Sequence, residues 1–191
     1  MGGVIALFAQ PPFNALLMMA NIKQFRYEWI WQKSSGTGFL NANRMPLKAH
    51  ENILIFYDTL PKYHPQMTYG HKSYTANHSG ISTNYKNQHI TKTVDTDGSR
   101  YPVDVLQFAS VNCSAEPKLH PTQKPVPLLE YLIKTYTDEG ETVLDNCMGS
   151  GSTGVAAVNT KRDFIGIELD TRYYQIAKER IEAHNAQTTL F

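Results

Sequence analysis

The sequence predicts an α/β fold with a doubly wound sheet, and three observations carry that prediction. Short apolar runs of strand length (residues 4–8, 142–144 and 164–167) are interspersed with segments of helical period. The run ending at Asp145 breaks into a turn containing Gly149, Gly151 and Gly154, and a small-residue helix follows from Val155. The next run delivers Glu168 at about the 20-residue spacing where nucleotide folds place an acid on ribose hydroxyls.

Taken in order, residues 4–8 read as a buried strand. Asn14 is expected to cap a helix reaching Ile22, with Leu16, Leu17 and Ala20 on one face. The aromatic alternation of residues 27–31 predicts a strand, residues 33–44 a polar flexible loop, and residues 51–57 another strand. Across residues 62–116 no period survives. Tyr69, Lys72, Tyr74, Tyr85, Lys86, Arg100 and Tyr101 interleave there with histidines, a composition able to stack on bases and neutralise phosphates. A short strand within residues 103–108 returns the chain to the core. A helix is expected over residues 128–136 after Pro125 and Pro127, with Leu128, Leu129, Leu132 and Ile133 inward. Asp170 is the predicted cap of a last helix, with Tyr173, Ile176, Ala177 and Ile181 buried and the tail frayed from Gln187.

Composition narrows the function classes. A chain of 191 residues with 41% hydrophobic content fits one globular domain. The net charge of +1 puts no general DNA affinity into the overall balance, so a basic surface has to be local. Cys113 and Cys147 alone form neither a disulfide framework nor a zinc site, which suits a reducing, cytoplasmic setting. Cys147 reads as a small filler of the glycine loop. No histidine pair has helical or zinc-finger spacing, so no metal is expected. Gln10, Pro11, Pro12 and Asn14 interrupt the apolar stretch of residues 4–20, and no basic region precedes it; neither a membrane span nor a signal peptide is predicted.

The glycine loop lacks the Lys-Ser/Thr ending of a phosphate-cradling P-loop. Gly149-Ser-Gly-Ser-Thr-Gly154 does satisfy a dinucleotide fingerprint, so an NAD-dependent oxidoreductase stands as an alternative on these residues. Leu144-Asp145-Asn146-Cys147-Met148-Gly149-Ser150-Gly151-Ser152-Thr153, however, resembles the cofactor motif of the amino-group DNA methyltransferases. His120-Pro121-Thr122-Gln123-Lys124-Pro125 is similar to the segment that members of permuted, beta-class order place before it, and Ile165-Gly166-Ile167-Glu168-Leu169-Asp170 to their ribose-binding strand end. Residues 29–33, 38–40, 46–47 and 50–53 resemble the strands beyond the family's catalytic motif.

The resemblance implies a Rossmann-like methyltransferase sheet, S-adenosylmethionine as cofactor and double-stranded DNA as partner, with a homodimer among the assemblies it allows. It implies that Asp145 sits near the amino-acid end of the cofactor, with Cys147, Met148, Gly149, Ser150, Gly151 and Thr153 packed against it. Glu168 would hold the ribose, Thr122 and Lys124 would line the methionine side, and residues 62–116 would recognise the target. The family's catalytic Asp/Asn/Ser-Pro-Pro-aromatic motif has no match. The nearest string is Gln10, Pro11, Pro12 and Phe13, although residues 7–13 match the family's next strand better. The expectation is therefore an N-terminally truncated chain whose sheet is missing the catalytic-motif strand, adenine being favoured over cytosine as the target. A non-catalytic cofactor- or DNA-binding remnant is the alternative from another class.

Overall fold

The structure, a computed structural model, describes residues 2–77, 92–95, 97–111 and 117–188. Its chain divides into two compact units, Pro65–Val103 and the remainder.

In the larger unit the first sheet comprises β1 (Ile5–Ala9), β2 (Phe25–Thr37), β3 (Lys48–Phe56) and, in the smaller unit, a separate hairpin forms from β4 (Tyr74–Asn77) and β5 (Lys92–Asp95). The next strand, β6 (Val105–Gln107), completes the first sheet in the order β1-β3-β2-β6. β3 lies antiparallel to both neighbours, with Ile5 opposite Phe56 and Ala9 opposite Asn52, and β6 runs parallel to β2. A second sheet pairs β7 (Thr142–Asp145) in parallel with β8 (Asp163–Gly166). Helices α1 (Phe13–Ala20), α2 (Val126–Tyr136), α3 (Ser152–Asn159) and α4 (Thr171–Thr188) complete the larger unit. The predicted α/β sheet is thus present in two pieces.

Period-2 alternation decides what each piece buries. On one face Trp29, Trp31, Ile53, Ile55 and Leu106 pack against Leu128, Leu132 and Tyr136 of α2. The other side of α2 presents Leu129 and Ile133 to Ala156 and Ala157 of α3, and Phe8, Val143 and Phe164 pack on that cluster. One helix therefore joins the two sheets through residues of β1, β7 and β8. On the opposite face Leu54 and Phe56 pack with Leu17 and Met18 of α1. Over β7 and β8 that opposite face is largely uncovered, leaving Leu144 63% and Ile165 54% exposed. The apolar run of residues 142–144 is thus a strand covered on one side, where Val143 and Phe164 meet α3.

Other boundaries shift for local reasons. The Asn14 amide bonds the Gln10 carbonyl at 3.0 Å, closing the first turn of α1 so early that Pro12, not Asn14, is the cap. The helix stops at Ala20, before the predicted Ile22. The polar loop predicted over residues 33–44 is extended as far as Thr37, then turns through a 3-10 segment at Phe39–Asn41. Exposure on both faces removed the alternation that reveals a strand in sequence. Asp170 does cap α4, its Oδ1 accepting from the amides of Arg172 (2.8 Å) and Tyr173 (3.1 Å). The helix continues through Gln187 and Thr188, where fraying was expected.

The smaller unit contains ladder structure where residues 62–116 showed no period. β4 and β5 pair antiparallel from Tyr74 opposite Asp95 to Asn77 opposite Lys92, and Thr68 bridges Arg100. The Arg100 guanidinium lies 4.6 Å from the Tyr74 ring centroid and donates to the Lys72 carbonyl at 2.6 Å. Tyr69 and Tyr101 are more than 70% exposed. His78, Tyr85, Lys86, His89 and Cys113 lie outside the described residues.

Among the described residues β1 pairs only with β3, and β7 only with β8. The free edges of both strands line one cavity of about 1080 Å³, whose floor includes Leu129, Leu132, Ile133 and Tyr136 of α2. Among the described residues no helix is long and apolar enough to cross a membrane.

Candidate functional site

The site lies at the C-terminal ends of β1 and β7, where α/β sheets place their ligands. Register fixes this. Because Ala9 faces Asn52, Glu51 lies at the end of β1, and Lys124 reaches its Oε2 at 2.9 Å. One residue upstream, Gln123 Oε1 accepts from the Ser150 hydroxyl at 3.2 Å in the loop after β7. The segment of residues 120–124 thus spans from one strand end to the other, so β1 and β7 point the same way.

Asp145 organises the loop. Its Oδ1 accepts from the Cys147 amide (3.1 Å) and its Oδ2 from the Thr153 hydroxyl (2.6 Å), tying the strand end to the first turn of α3. The Met148 amide bonds the Ile167 carbonyl at 3.0 Å, and the next residue, Gly149, donates its amide to Glu168 Oε2 at 2.8 Å. The other Glu168 oxygen accepts from the Asp170 amide at 3.0 Å. These backbone donors, Asp170 first and Gly149 next, hold the Glu168 carboxyl below the ordinary range. It is ionised at neutral pH and remains at the surface.

Two glycines serve different needs. Gly149, at φ +53°, has the His120 ring beneath it, 3.3 Å from where a Cβ would stand. Gly151, at φ +77°, caps α3 and lies against Ala177 of α4. Thr122, Lys124, Asp145, Cys147, Met148, Gly149, Ser150 and Thr153 all line the cavity. Gly151 and Glu168 do not: the contacts of Gly151 are those of packing, and the two Glu168 oxygens are taken up by the Gly149 and Asp170 amides. Burial first, then the Asp145 charge, pushes the Cys147 thiol up, so the thiol stays protonated.

Gln10, Pro11, Pro12 and Phe13 do not line the cavity. The Gln10 side-chain oxygen already accepts from Lys48 Nζ at 3.1 Å, and Phe13 is 56% exposed. Sequence reasoning gave no role to His120, which stacks edge-on against Tyr173 at 4.3 Å and accepts from the Thr122 amide at 3.2 Å. Its place at the head of the His-Pro-Thr-Gln-Lys-Pro string was the available signal. Glu51 and Lys33 were missed for want of any local signal. Among the described residues no set of three His, Cys, Asp or Glu side chains is gathered as metal ligands.

A strand, a glycine turn leading into a helix, and an acid bonded back to that turn are the arrangement of a Rossmann-like α/β fold. The chain belongs to the DNA methylase family, whose description matches residues 1–179. It is 32% identical over 157 residues to the type II methyltransferase M.HpaI of Haemophilus parainfluenzae, covering 81% of this chain and 45% of that protein. It is 27% identical over 180 residues to the type II methyltransferase M2.MboI of Moraxella bovis, covering 84% of this chain and 66% of that protein. Among solved structures it resembles M1.HpyAVI in complex with SAM, with a TM-score of 0.63 and 26% identity over 94% of this chain and 74% of that one. The chain thus spans between about half and two thirds of these two curated relatives.

Proposed function

We propose that this chain takes part in DNA modification by binding S-adenosylmethionine and serving methyl transfer to an exocyclic amino group of a flipped base, adenine on the sequence reading. The observation that carries the reading is the bond between Gly149 and Glu168, which sets an ionised carboxylate beside the glycine turn. The donor set suits the cofactor. Glu168, bonded back to the glycine turn, offers its oxygens to a ribose diol; of the cavity-lining residues, Asp145 lies toward the cationic amino acid end and Lys124 supplies a positive group for its carboxylate. The bound cofactor would supply a methyl group on a sulfonium, an excellent leaving group that leaves the protein mainly with alignment.

The residues' tasks follow from that. Asp145 fixes the loop through Cys147 and Thr153, so the site is ordered before ligand arrives. Apolar side chains of α2 give the cavity a non-polar floor. Groups holding the target amine would enter on a strand between β1 and β7; the unpaired edges and the size of the cleft support that reading. The aromatic and cationic surface of the smaller unit, with Tyr69, Tyr101 and Lys72, supports contact with DNA bases and phosphates.

Calorimetric titration with S-adenosylhomocysteine and with NAD tests the cofactor assignment. Binding of the first and not the second is the expected result; the reverse would return the glycine string to the dinucleotide reading.

A further inference from the structure

Glu51 joins two lysines that lie far apart in the chain. Its side chain is 10% exposed; Oε1 accepts from Lys33 Nζ at 2.6 Å and Oε2 from Lys124 Nζ at 2.9 Å. The lysine side chains are themselves 11% and 22% exposed. Both ammonium groups rest over Trp31, at 5.1 and 6.0 Å from its ring centroid, and Lys124 also over Phe8 at 5.0 Å. Burial by itself would push the Glu51 carboxyl up, yet the bonds from Lys33 and Lys124 together hold it below the ordinary range.

The charges do not cancel. One carboxylate faces two ammonium groups, so the cluster retains one positive charge in a setting where an unpaired charge is costly. The lysines also face different spaces. Lys33 lines a small pocket with Gln32 and Gln107, whereas Lys124 lines the large cavity with Thr122. Lys33 occupies one Glu51 oxygen and draws on its negative charge. Lys124 is thereby anchored without being fully neutralised.

We propose that Glu51 and Lys33 are positioning residues that direct the excess positive charge of Lys124 into the cavity, where it takes the amino-acid carboxylate of the cofactor. The inference rests on the cofactor reading above and goes beyond it, because neither Glu51 nor Lys33 lines the cavity. A cluster that merely joined β2 to β3 would affect every ligand alike. A cluster that grips a carboxylate affects only ligands that carry one.

The test compares S-adenosylhomocysteine with 5′-methylthioadenosine, which keeps the nucleoside and thioether but lacks the amino acid. Affinities are measured by calorimetry for the unaltered chain, Glu51→Gln, Lys33→Met and Lys33→Arg. Glu51→Gln and Lys33→Met should each weaken S-adenosylhomocysteine by about tenfold, the scale of one charge-assisted hydrogen bond. Neither should change 5′-methylthioadenosine, and Lys33→Arg should restore the difference. Equal weakening of both ligands, or of neither, overturns the inference while leaving the cofactor reading intact. Failure of the unaltered chain to bind either ligand overturns the cofactor reading and this inference with it. Should Glu51→Gln fail to fold, the Lys33 pair still decides the question.

Discussion

Glu168 Oε2 stands 2.8 Å from the Gly149 amide nitrogen, linking the end of the second parallel strand to the glycine turn that follows the first. Each group restrains the other. The carboxylate orders the turn, and the turn's N–H, after that of Asp170, helps to hold the carboxylate ionised.

Glu168→Ala should therefore weaken S-adenosylhomocysteine binding by about 1–3 kcal/mol, the usual loss for hydrogen bonds to a charged group. The pH dependence follows from the depressed carboxyl. The carboxylate accepts ribose hydroxyls only when ionised, and in the folded chain its value lies below the ordinary one of about 4.3 for glutamate. Affinity should be flat across neutral pH and fall only in acid. A titration showing the loss near pH 7 would assign it to another group.

Gly151 and Gly140 provide an internal comparison. Both have positive φ, +77° and +80°, but a Cβ on Gly151 would stand 2.9 Å from the Ala177 Cβ, while one on Gly140 meets nothing within 4 Å. Gly140→Ala should cost only the left-handed penalty, about 1–2 kcal/mol. Gly151→Ala should cost more, because α3 and α4 must separate. Urea unfolding midpoints at constant slope measure the difference; equal shifts would show that α4 yields freely.

Tyr136 is the polar centre of the core beneath β2. Its hydroxyl accepts from Trp29 Nε1 at 2.6 Å and shares a hydrogen bond with Tyr27 at 2.7 Å. Burial pushes the Tyr136 hydroxyl far up, so it stays protonated at all working pH. Tyr136→Phe should destabilise the protein by about 1–3 kcal/mol, since the buried Trp29 N–H loses its acceptor. A stability change below a few tenths of a kcal/mol would mean that water or Tyr27 replaces it.

What the sequence reveals of this site depends on contact range. The glycine turn, Asp145 and Glu168 are legible because Asp145 reaches Thr153 within 8 residues and Glu168 reaches Gly149 within 19. The Asp170 cap is more local still. Glu51 is silent because its bond to Lys124 spans 73 residues and exists only through the pairing of β1 with β3. The same holds for Trp29 and Tyr136, 107 residues apart. The far end of β2 was illegible for another reason: with both faces in solvent, residues 34–37 need no alternation.

The cleft between β1 and β7 yields the last prediction. Alternate backbone groups of an edge strand face its partner and the open side. In β1 one set bonds β3, and in β7 one set bonds β8; the remaining groups face the cleft. Hydrogen exchange should therefore alternate along Ile5–Ala9 and Thr142–Asp145, slow toward the partner strand and fast toward the cleft. A polypeptide strand is the ligand such paired edges suit, since only a backbone offers donors and acceptors to both sides. Running parallel to β1 and β7, it would end between Lys124 and Asp145, at the mouth of the site. A short peptide of alternating valine and threonine, flanked by lysines, should slow the fast-exchanging amides of both strands and raise the melting temperature. The same peptide with proline at alternate positions should do neither. Slow exchange at every position without peptide, independent of protein concentration, would show that the two edges are already closed. Protection that grows with protein concentration would instead identify a second copy of the chain as the occupant.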